Sequence, residues 1–432
     1  MAEIRPIRAW RYNKELGSKI EGLTSPLFDV VSAKQRKALY SNPYSSIHLS
    51  VPEGPNAAER ASKILNQWKK NGTIVQDNIP GIYIYYQYYT LPQQNKEYCR
   101  KGFICNIQTY SWEENVILRH ENTMPRSVFD RKEILKSTLL NVSPTHGLYI
   151  DPEYKLEALM EESMQSPIYE SEDYQGVLNL VSVIHDQQVI KQFVSTLENK
   201  QVILADGHHR YEGSLMYQQE MMSLNSKHTG QEGYNFHTIY LTNTEDVNFQ
   251  ILPTHRLISD VEIDENELIK SLEEDFYINE ITDVFSINEV ILGKKWTFGL
   301  IFKDRAYRIK LKDEAYQKLT WNFPDEIKAL DLTVLHFFII EKGLGIYRSH
   351  QLDSSNIEYN RSFTDCLTHV TDKKSKFAII VNGVSIEDIK KVCISGSTMP
   401  PKSTYFYPKV TCGYVFNSIK DDEFELFPFT RV

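Results

Sequence analysis

The stretch that most limits what this chain can fold into is Gln201–Tyr217, QVILADGHHRYEGSLMY. Val202–Leu204 is a short apolar run of the kind that forms a buried strand. It breaks at the turn pair Asp206-Gly207, and beyond it Tyr211, Leu215 and Met222 share one face at helical spacing. A strand, a tight glycine turn and a helix start make an anion site. The first helical N–H groups lack internal partners, and the helix dipole favours negative charge there. Into that turn the sequence loads His208, His209 and Arg210. Arginine offers a planar fork suited to phosphate, and histidine donates to oxygen or moves a proton. Gly213 inside the helix costs about 1 kcal/mol against alanine, which predicts a close approach there. The plainer alternative has Asp206 capping the helix, both histidines solvated and Arg210 in a salt bridge. Two histidines and an arginine in one turn exceed what capping requires, so the stretch is read as a phosphate-binding active site.

The whole chain narrows the partners. Its 432 residues suffice for two or three domains with a real core. A hydrophobic content of 41% with 24% charged residues is ordinary for a soluble globular protein. A net charge of −9 argues against a nucleic-acid footprint, since phosphate-neutralising surfaces are basic. The opening MAEIRPIRAWRYNKELGSK has no apolar run to serve as a signal peptide, and no stretch reaches the roughly 18 apolar residues of a membrane span. Cys99, Cys105, Cys366, Cys393 and Cys412 are scattered without CxxC spacing, which fits a reducing cytoplasm and not a disulfide framework or zinc site. The expectation is a cytoplasmic protein with small-molecule and nucleotide partners, no nucleic acid and no membrane. Homo-oligomerisation stays open.

Glu3–Trp10 reads as a strand, and Ser25–Val30 is turn-rich. Asp29 and Tyr44 fit either turn chemistry or ligand contact. Asn56–Lys70 reads as a helix with an Asn56–Glu59 capping pair, a core face of Ala57, Ala61, Ile64, Leu65 and Trp68, and a stop at Asn71-Gly72. Gly81–Tyr89 and Gly102–Tyr110 alternate as strands and pair as a hairpin across Pro92–Lys101. In Ile117–Arg131, His120-Glu121 stands ahead of Thr123 and Asp130-Arg131, either as an acid–base or Mg²⁺-binding pair or as a salt-bridged surface turn. The acidic run Asp151–Gln175 suggests a mobile connection or solvated helix end. Leu178–Ile184 is a strand, and Asp186–Leu197 a helix feeding the Val202 strand. Strands follow at Phe236–Thr242 and Gln250–Ile258, where Thr254, His255 and Arg256 either support the site or face water from a sheet edge.

A composition shift at Ser259 sets the expected domains at residues 1–258 and 259–432. The second holds strands at Trp296–Phe302, Tyr307–Leu311 and Phe377–Val381, and a continuous helix at Asp325–Lys342 carrying a structural His336. Gly396–Ser403, GSTMPPKS, has P-loop spacing with Pro401 in the glycine position. Proline has no N–H for a phosphate, so a Walker A loop is rejected. Lys402, with Lys409 nearby, is a candidate anion contact from the second domain.

The residues also carry a resemblance. Over nearly its full length the chain is similar to the bacterial and archaeal domain-of-unknown-function family 1015. The matching pieces are Arg11-Tyr12, NPY at Asn42–Tyr44, HExT at His120–Thr123, Asp130-Arg131, ADGHHRYE at Ala205–Glu212, PTHR at Pro253–Arg256 and MPPKSTYFYPK at Met399–Lys409. The HRYE turn preceded by Gly-x resembles the phosphate loop of the ParB/sulfiredoxin superfamily. Sulfiredoxins carry cysteine where this chain has His208, so sulfinic acid reduction does not carry over. Asp206-Gly207-His208 is nearer to the Asp-Gly-His loop of the archaeal free-serine kinases. The resemblance implies an α+β (mixed α/β) fold with a ParB/sulfiredoxin-like phosphate-binding core and a second α+β domain.

Three functions are compatible with these residues. The first is phosphotransfer from ATP or ADP with Mg²⁺ to a small hydroxy metabolite, with free serine implied by the resemblance. Here Gly207, His209, Arg210 and Lys402 hold phosphate, His208 and His120 join the chemistry, and Asp206 or Glu121 binds Mg²⁺ or accepts a proton. The second is metal-dependent phosphomonoester hydrolysis at Asp206, His208, His209 and Glu121. The third is a nucleotide- or phosphate-sensing regulator that does not turn over.

Overall fold

The computed structural model describes residues 1–27, 33–91, 96–246, 248–351, 354–400 and 402–425. Asp29, Pro401 and residues 92–95 of the expected Pro92–Lys101 turn therefore lie outside the described residues, and Glu97–Lys101 belong to a strand. The chain folds as two compact units of mixed α/β structure. The first comprises Met1–Arg119, Thr123–Phe249 and Pro408–Val432, and the second His120–Asn122 and Gln250–Tyr407. The composition shift at Ser259 thus falls nine residues inside the second unit, and the tail returns to the first.

The first unit is built on a sheet of nine strands among the described residues. Its order is Ile117–Arg119, Val202–Asp206, Thr145–Tyr149, Phe236–Asn243, Glu97–Gln108, Ile82–Thr90, Leu178–Ile184 and Tyr169–Glu172, with Ile4–Arg5 on Glu97–Gln108. The expected hairpin forms, Tyr83 facing Ile104 and Thr90 facing Glu97. Two ladders are parallel: Val202–Leu204 with Ile117–Arg119, and Phe236–Asn243 with Thr145–Tyr149. Alternation divides the strands between two cores. Ile82, Ile84, Phe103, Leu204 and Leu241 face one, where the helix Gln187–Leu197 buries Ile190, Phe193 and Leu197. Tyr83, Tyr85, Ile104 and Tyr240 face the other, covered by Ala61, Leu65 and Trp68 of Ala57–Lys70 and by Val410, Tyr414 and Phe416 of the tail. Each such aliphatic or aromatic side chain contributes about 1.5–3 kcal/mol by leaving water. The acidic stretch is ordered, with a helix at Glu157–Met164 and a strand at Tyr169–Glu172.

The second unit holds a six-stranded antiparallel sheet in the order Phe276–Ile281, Ala306–Leu311, Thr297–Ile301, Phe377–Ile380, His255–Ile258 and Ile357–Asn360. Three local expectations change. Asn56 adopts a left-handed φ of 55° and its side chain caps nothing. The expected helix Asp325–Lys342 is broken: Asp325–Lys328 ends, Leu330 turns extended, Asp331–Val334 restarts it, and Leu335–Gly343 is a π-helix. The break lets Asp331 accept the Trp296 amide at 2.8 Å. The third is Met222, which is 44% exposed while Tyr211 and Leu215 are buried. No helix among the described residues is long and apolar enough to cross a membrane.

Candidate functional site

The site starts from a bulge. Register against Thr145–Tyr149 shifts between Leu204 and Asp206, making Ala205 an extra residue. A bulge re-aims the side chains beyond it. Leu204 therefore faces one core, while Asp206 pairs with His146, whose neighbour Tyr240 belongs to the other. There the Lys409 ammonium closes on Asp206 Oδ1, and Arg210 Nη2 donates to Oδ2 at 3.0 Å. Burial pushes the Asp206 carboxyl up, but Lys409 and then Arg210 outweigh it and hold it well below the usual carboxylate range.

Gly207 comes next with φ 91° and starts the 17-residue helix His208–Leu224. A Cβ there would meet Thr145 Cγ2 at 2.6 Å and Arg210 Nη2 at 2.8 Å, so the position admits glycine alone. The first helical bonds run from Arg210 N and Tyr211 N to Gly207 O, at 2.9 and 3.0 Å. The amides of His208 and His209 precede them, at the positive end of the helix. His208 is buried. His209 Nε2 accepts from the Met124 amide at 3.0 Å, which places the proton of the neutral ring on Nδ1. Glu212 accepts from Thr123 Oγ1 at 2.6 Å.

Arg210 does not hold its fork out to solvent. Nη1 donates to Pro144 O at 2.6 Å and to Ser143 Oγ at 2.9 Å, because these acceptors and Asp206 lie within its reach. The close neighbour of Gly213 is a helix, not a ligand: its Cβ would stand 3.1 Å from Lys132 N and 3.2 Å from Val128 O, on Pro125–Thr138.

Several polar groups on this face escaped the sequence reading. His146 Nε2 lies 2.8 Å from Thr242 Oγ1, and burial, then Arg100, hold its imidazole well below its usual value against the pull of Asp206. Arg100 is 2% exposed, donates to Gln87 Oε1 and lies over the Tyr240 ring at 5.5 Å, with Nε and Nη1 unpartnered. Gln87 Nε2 in turn donates to Lys409 O and Asn179 Oδ1, each at 3.1 Å. The available signal was a polar residue inside an apolar strand run, and it exists only for Gln87; Arg100 adjoins Lys101 and His146 adjoins Thr145. Lys409, expected from the second domain, belongs to the first unit. It also lines a cavity of about 320 Å³ with Thr24, Ser25, Leu39, Tyr174 and Thr411.

His120, Glu121 and Lys402 belong to the second unit. His120 is buried, with Nε2 2.9 Å from Thr404 Oγ1 and its carbonyl accepting from Met399 N. Glu121 is half-buried, and Lys402 is exposed with φ 57°. Thr254, His255 and Arg256 are buried in that unit and do not face water. Arg256 Nη2 stands 3.1 Å from His336 Nε2, and His336 Nδ1 2.8 Å from Gln351 Oε1, a structural network that includes the expected His336. Tyr44 sits in a turn, its amide donating to Asn42 Oδ1. Among the described residues no three His, Cys, Asp or Glu side chains gather as a metal site.

A family model described as "Protein of unknown function (DUF1015)" matches residues 4–333. No curated protein sequence matches the chain. Solved structures similar to it include a free serine kinase in complex with AMP, at 11% identity and TM-score 0.39, covering 78% of this chain and 97% of that one. A conserved hypothetical protein from Pyrococcus furiosus is 13% identical with TM-score 0.36, covering 74% and 97%. SbnI with a C-terminal truncation, from Staphylococcus aureus, is 12% identical with TM-score 0.35, covering 74% and 90%.

Proposed function

This chain belongs to the DUF1015 family, and we propose that it is a nucleotide-dependent phosphotransferase acting on a small hydroxy metabolite, with free serine the first acceptor to test. One observation carries the reading. Lys409 closes on Asp206 beside a glycine-started helix, and the same lysine lines a cavity of small-molecule size. In this reading the phosphates of ATP or ADP lie against the Gly207–His209 turn, where helix amides and imidazole donors meet them. Lys409, on a flexible stem, exchanges Asp206 for a phosphate oxygen. Arg210 positions the loop through Ser143, Pro144 and Asp206. The acceptor hydroxyl oxygen bonds to phosphorus and the bridging P–O bond to the nucleotide breaks. The hydroxyl proton passes to Asp206, whose basicity recovers once Lys409 has moved.

Positioning and charge neutralisation are most of what phosphoryl transfer asks of a protein. The donor set does not form a metal cage, since both Asp206 oxygens face cations. Magnesium accordingly enters on the nucleotide's own phosphates. The sequence resemblance of the Asp206-Gly207-His208 turn to the ParB/sulfiredoxin-like loop supports the same reading. All five cysteines are free thiols, which suits a cytoplasmic setting. Roles for His120, Glu121 and Lys402 are part of the proposal, and His120→Gln, Glu121→Gln and Lys402→Ala test them by product formation.

The neutralised state of Asp206 favours a second reading, a phosphate sensor without turnover. Protein incubated with ATP or ADP, Mg²⁺ and serine and monitored by ³¹P NMR separates the two. A phosphorylated acceptor is expected. Normal nucleotide binding with no phosphorylated product across a panel of hydroxy metabolites overturns the phosphotransferase in favour of the sensor.

A further inference from the structure

A second, smaller cavity of about 40 Å³ also touches Arg210. Arg131, Asn141, Ser143, Ser214 and His237 line it with Arg210, and none of its lining residues is acidic. Three of them carry buried nitrogens that no protein atom satisfies: Asn141 Nδ2, Arg210 Nε and His237 Nε2. Asn141 is 6% and His237 1% exposed. Buried polar groups in native proteins are nearly always partnered, by protein or by something bound.

The chemistry of these nitrogens selects the occupant. Asn141 Nδ2 and Arg210 Nε only donate, so whatever meets them accepts. Ser214 Oγ lies 2.8 Å from His237 Nδ1 and 3.2 Å from Arg210 O, and its one hydrogen serves either; turned to Nδ1, the nearer acceptor, it leaves His237 Nε2 protonated as a third donor. Two guanidinium groups line the space, each with its own carboxylate elsewhere, Asp130 for Arg131 and Asp206 for Arg210. The volume exceeds the roughly 10–15 Å³ that one water needs.

We infer that this cavity binds a compact inorganic anion of the halide class. The anion completes the shell of Arg210 from its Nε edge, while the other two nitrogens hold Ser143, Pro144 and Asp206. The site is independent of the phosphotransferase reading, because its occupancy is measured without nucleotide.

The test is thermal denaturation of the full chain as sodium gluconate, whose anion is too large for the cavity, is replaced by sodium chloride at constant ionic strength. A saturable rise in melting temperature of about 2 °C is expected in wild type. Asn141→Asp, which places a carboxylate in the cavity, removes that increment. Asn141→Ala serves the same purpose if the first variant does not fold, and it retains nucleotide binding. No chloride-dependent increment in wild type means water alone fills the space and overturns the inference. An undiminished increment in both variants places the anion elsewhere and overturns it equally.

Discussion

Lys409 forms an ion pair with Asp206 across 203 residues of sequence, both side chains almost out of water. A buried carboxylate is tolerated when opposite charge compensates its lost hydration. Here two cations do so, and the pair ties the strand end at Asp206 to the returning tail.

Lys409→Met removes the nearer cation and leaves Asp206 to Arg210 alone. Breaking a buried pair costs about 3–5 kcal/mol, and the remaining arginine holds the loss near 3. Urea denaturation at pH 7 measures it. The double variant with Asp206→Asn recovers only part of the loss: the buried carboxylate is gone, but Arg210 then keeps only neutral acceptors, Ser143, Pro144 and the new amide.

The folded carboxyl of Asp206 titrates below its unfolded value of about 3.9. Its stabilisation is present above that value and is lost as pH falls through the folded one. His237, held down to about 3 by burial and then Arg210, acts in the same direction. The unfolded imidazole takes its proton from about pH 6.5 downward, and the folded ring only near 3. Urea midpoints at pH 3, 4, 5 and 7 should fall with acidity, and Asp206→Asn should flatten the part below pH 4.

Gly207→Ala forces a side chain into a left-handed backbone against Thr145 and Arg210. The strain alone costs about 1–3 kcal/mol, and the clash adds to it. A lower melting temperature together with weakened nucleotide binding is expected. A variant as stable as wild type would show that the turn relaxes freely.

In the second unit, burial pushes the Asp331 carboxyl up to about 6. Its sign is opposite to that of Asp206. The unfolded acid ionises from about pH 3.9 and the folded one only near 6, so stability falls as pH rises between them. Asp331→Asn keeps an acceptor for the Trp296 amide and removes the buried charge. A gain of about 1–3 kcal/mol at pH 7 is expected, vanishing at pH 4, by urea denaturation at the two values.

What could be read from sequence was local. Val202–Leu204 and Gly207 announce a strand, a turn and a helix start because apolar runs and backbone-permissive residues act over a few positions. The same logic found the Tyr-rich hairpin and the core face of Ala57–Lys70. It failed where a tertiary partner decided the outcome. Asn56 has the spacing of a cap, yet its backbone is left-handed. Arg210 looks like a free fork until Ser143 and Pro144 come within reach. His146 stands beside Thr145 and Arg100 beside Lys101, so neither is marked out in its strand, and only the sheet order brings them to the face of Asp206. Lys409 had no local signal at all for the acid it meets.

The return of residues 408–425 to the first unit has a bearing on biogenesis. Synthesis runs from the N-terminus, and domains usually fold as they emerge from the ribosome. Here the strand carrying Asp206 leaves the exit tunnel some two hundred codons before its counter-ion, with an entire second unit translated between them. A nascent chain halted before Pro408 would hold all nine strands of its sheet with Asp206 compensated by Arg210 alone. Such a product also lacks Val410, Tyr414 and Phe416 from one of its cores, and apolar surface left uncovered in this way is what chaperones act on.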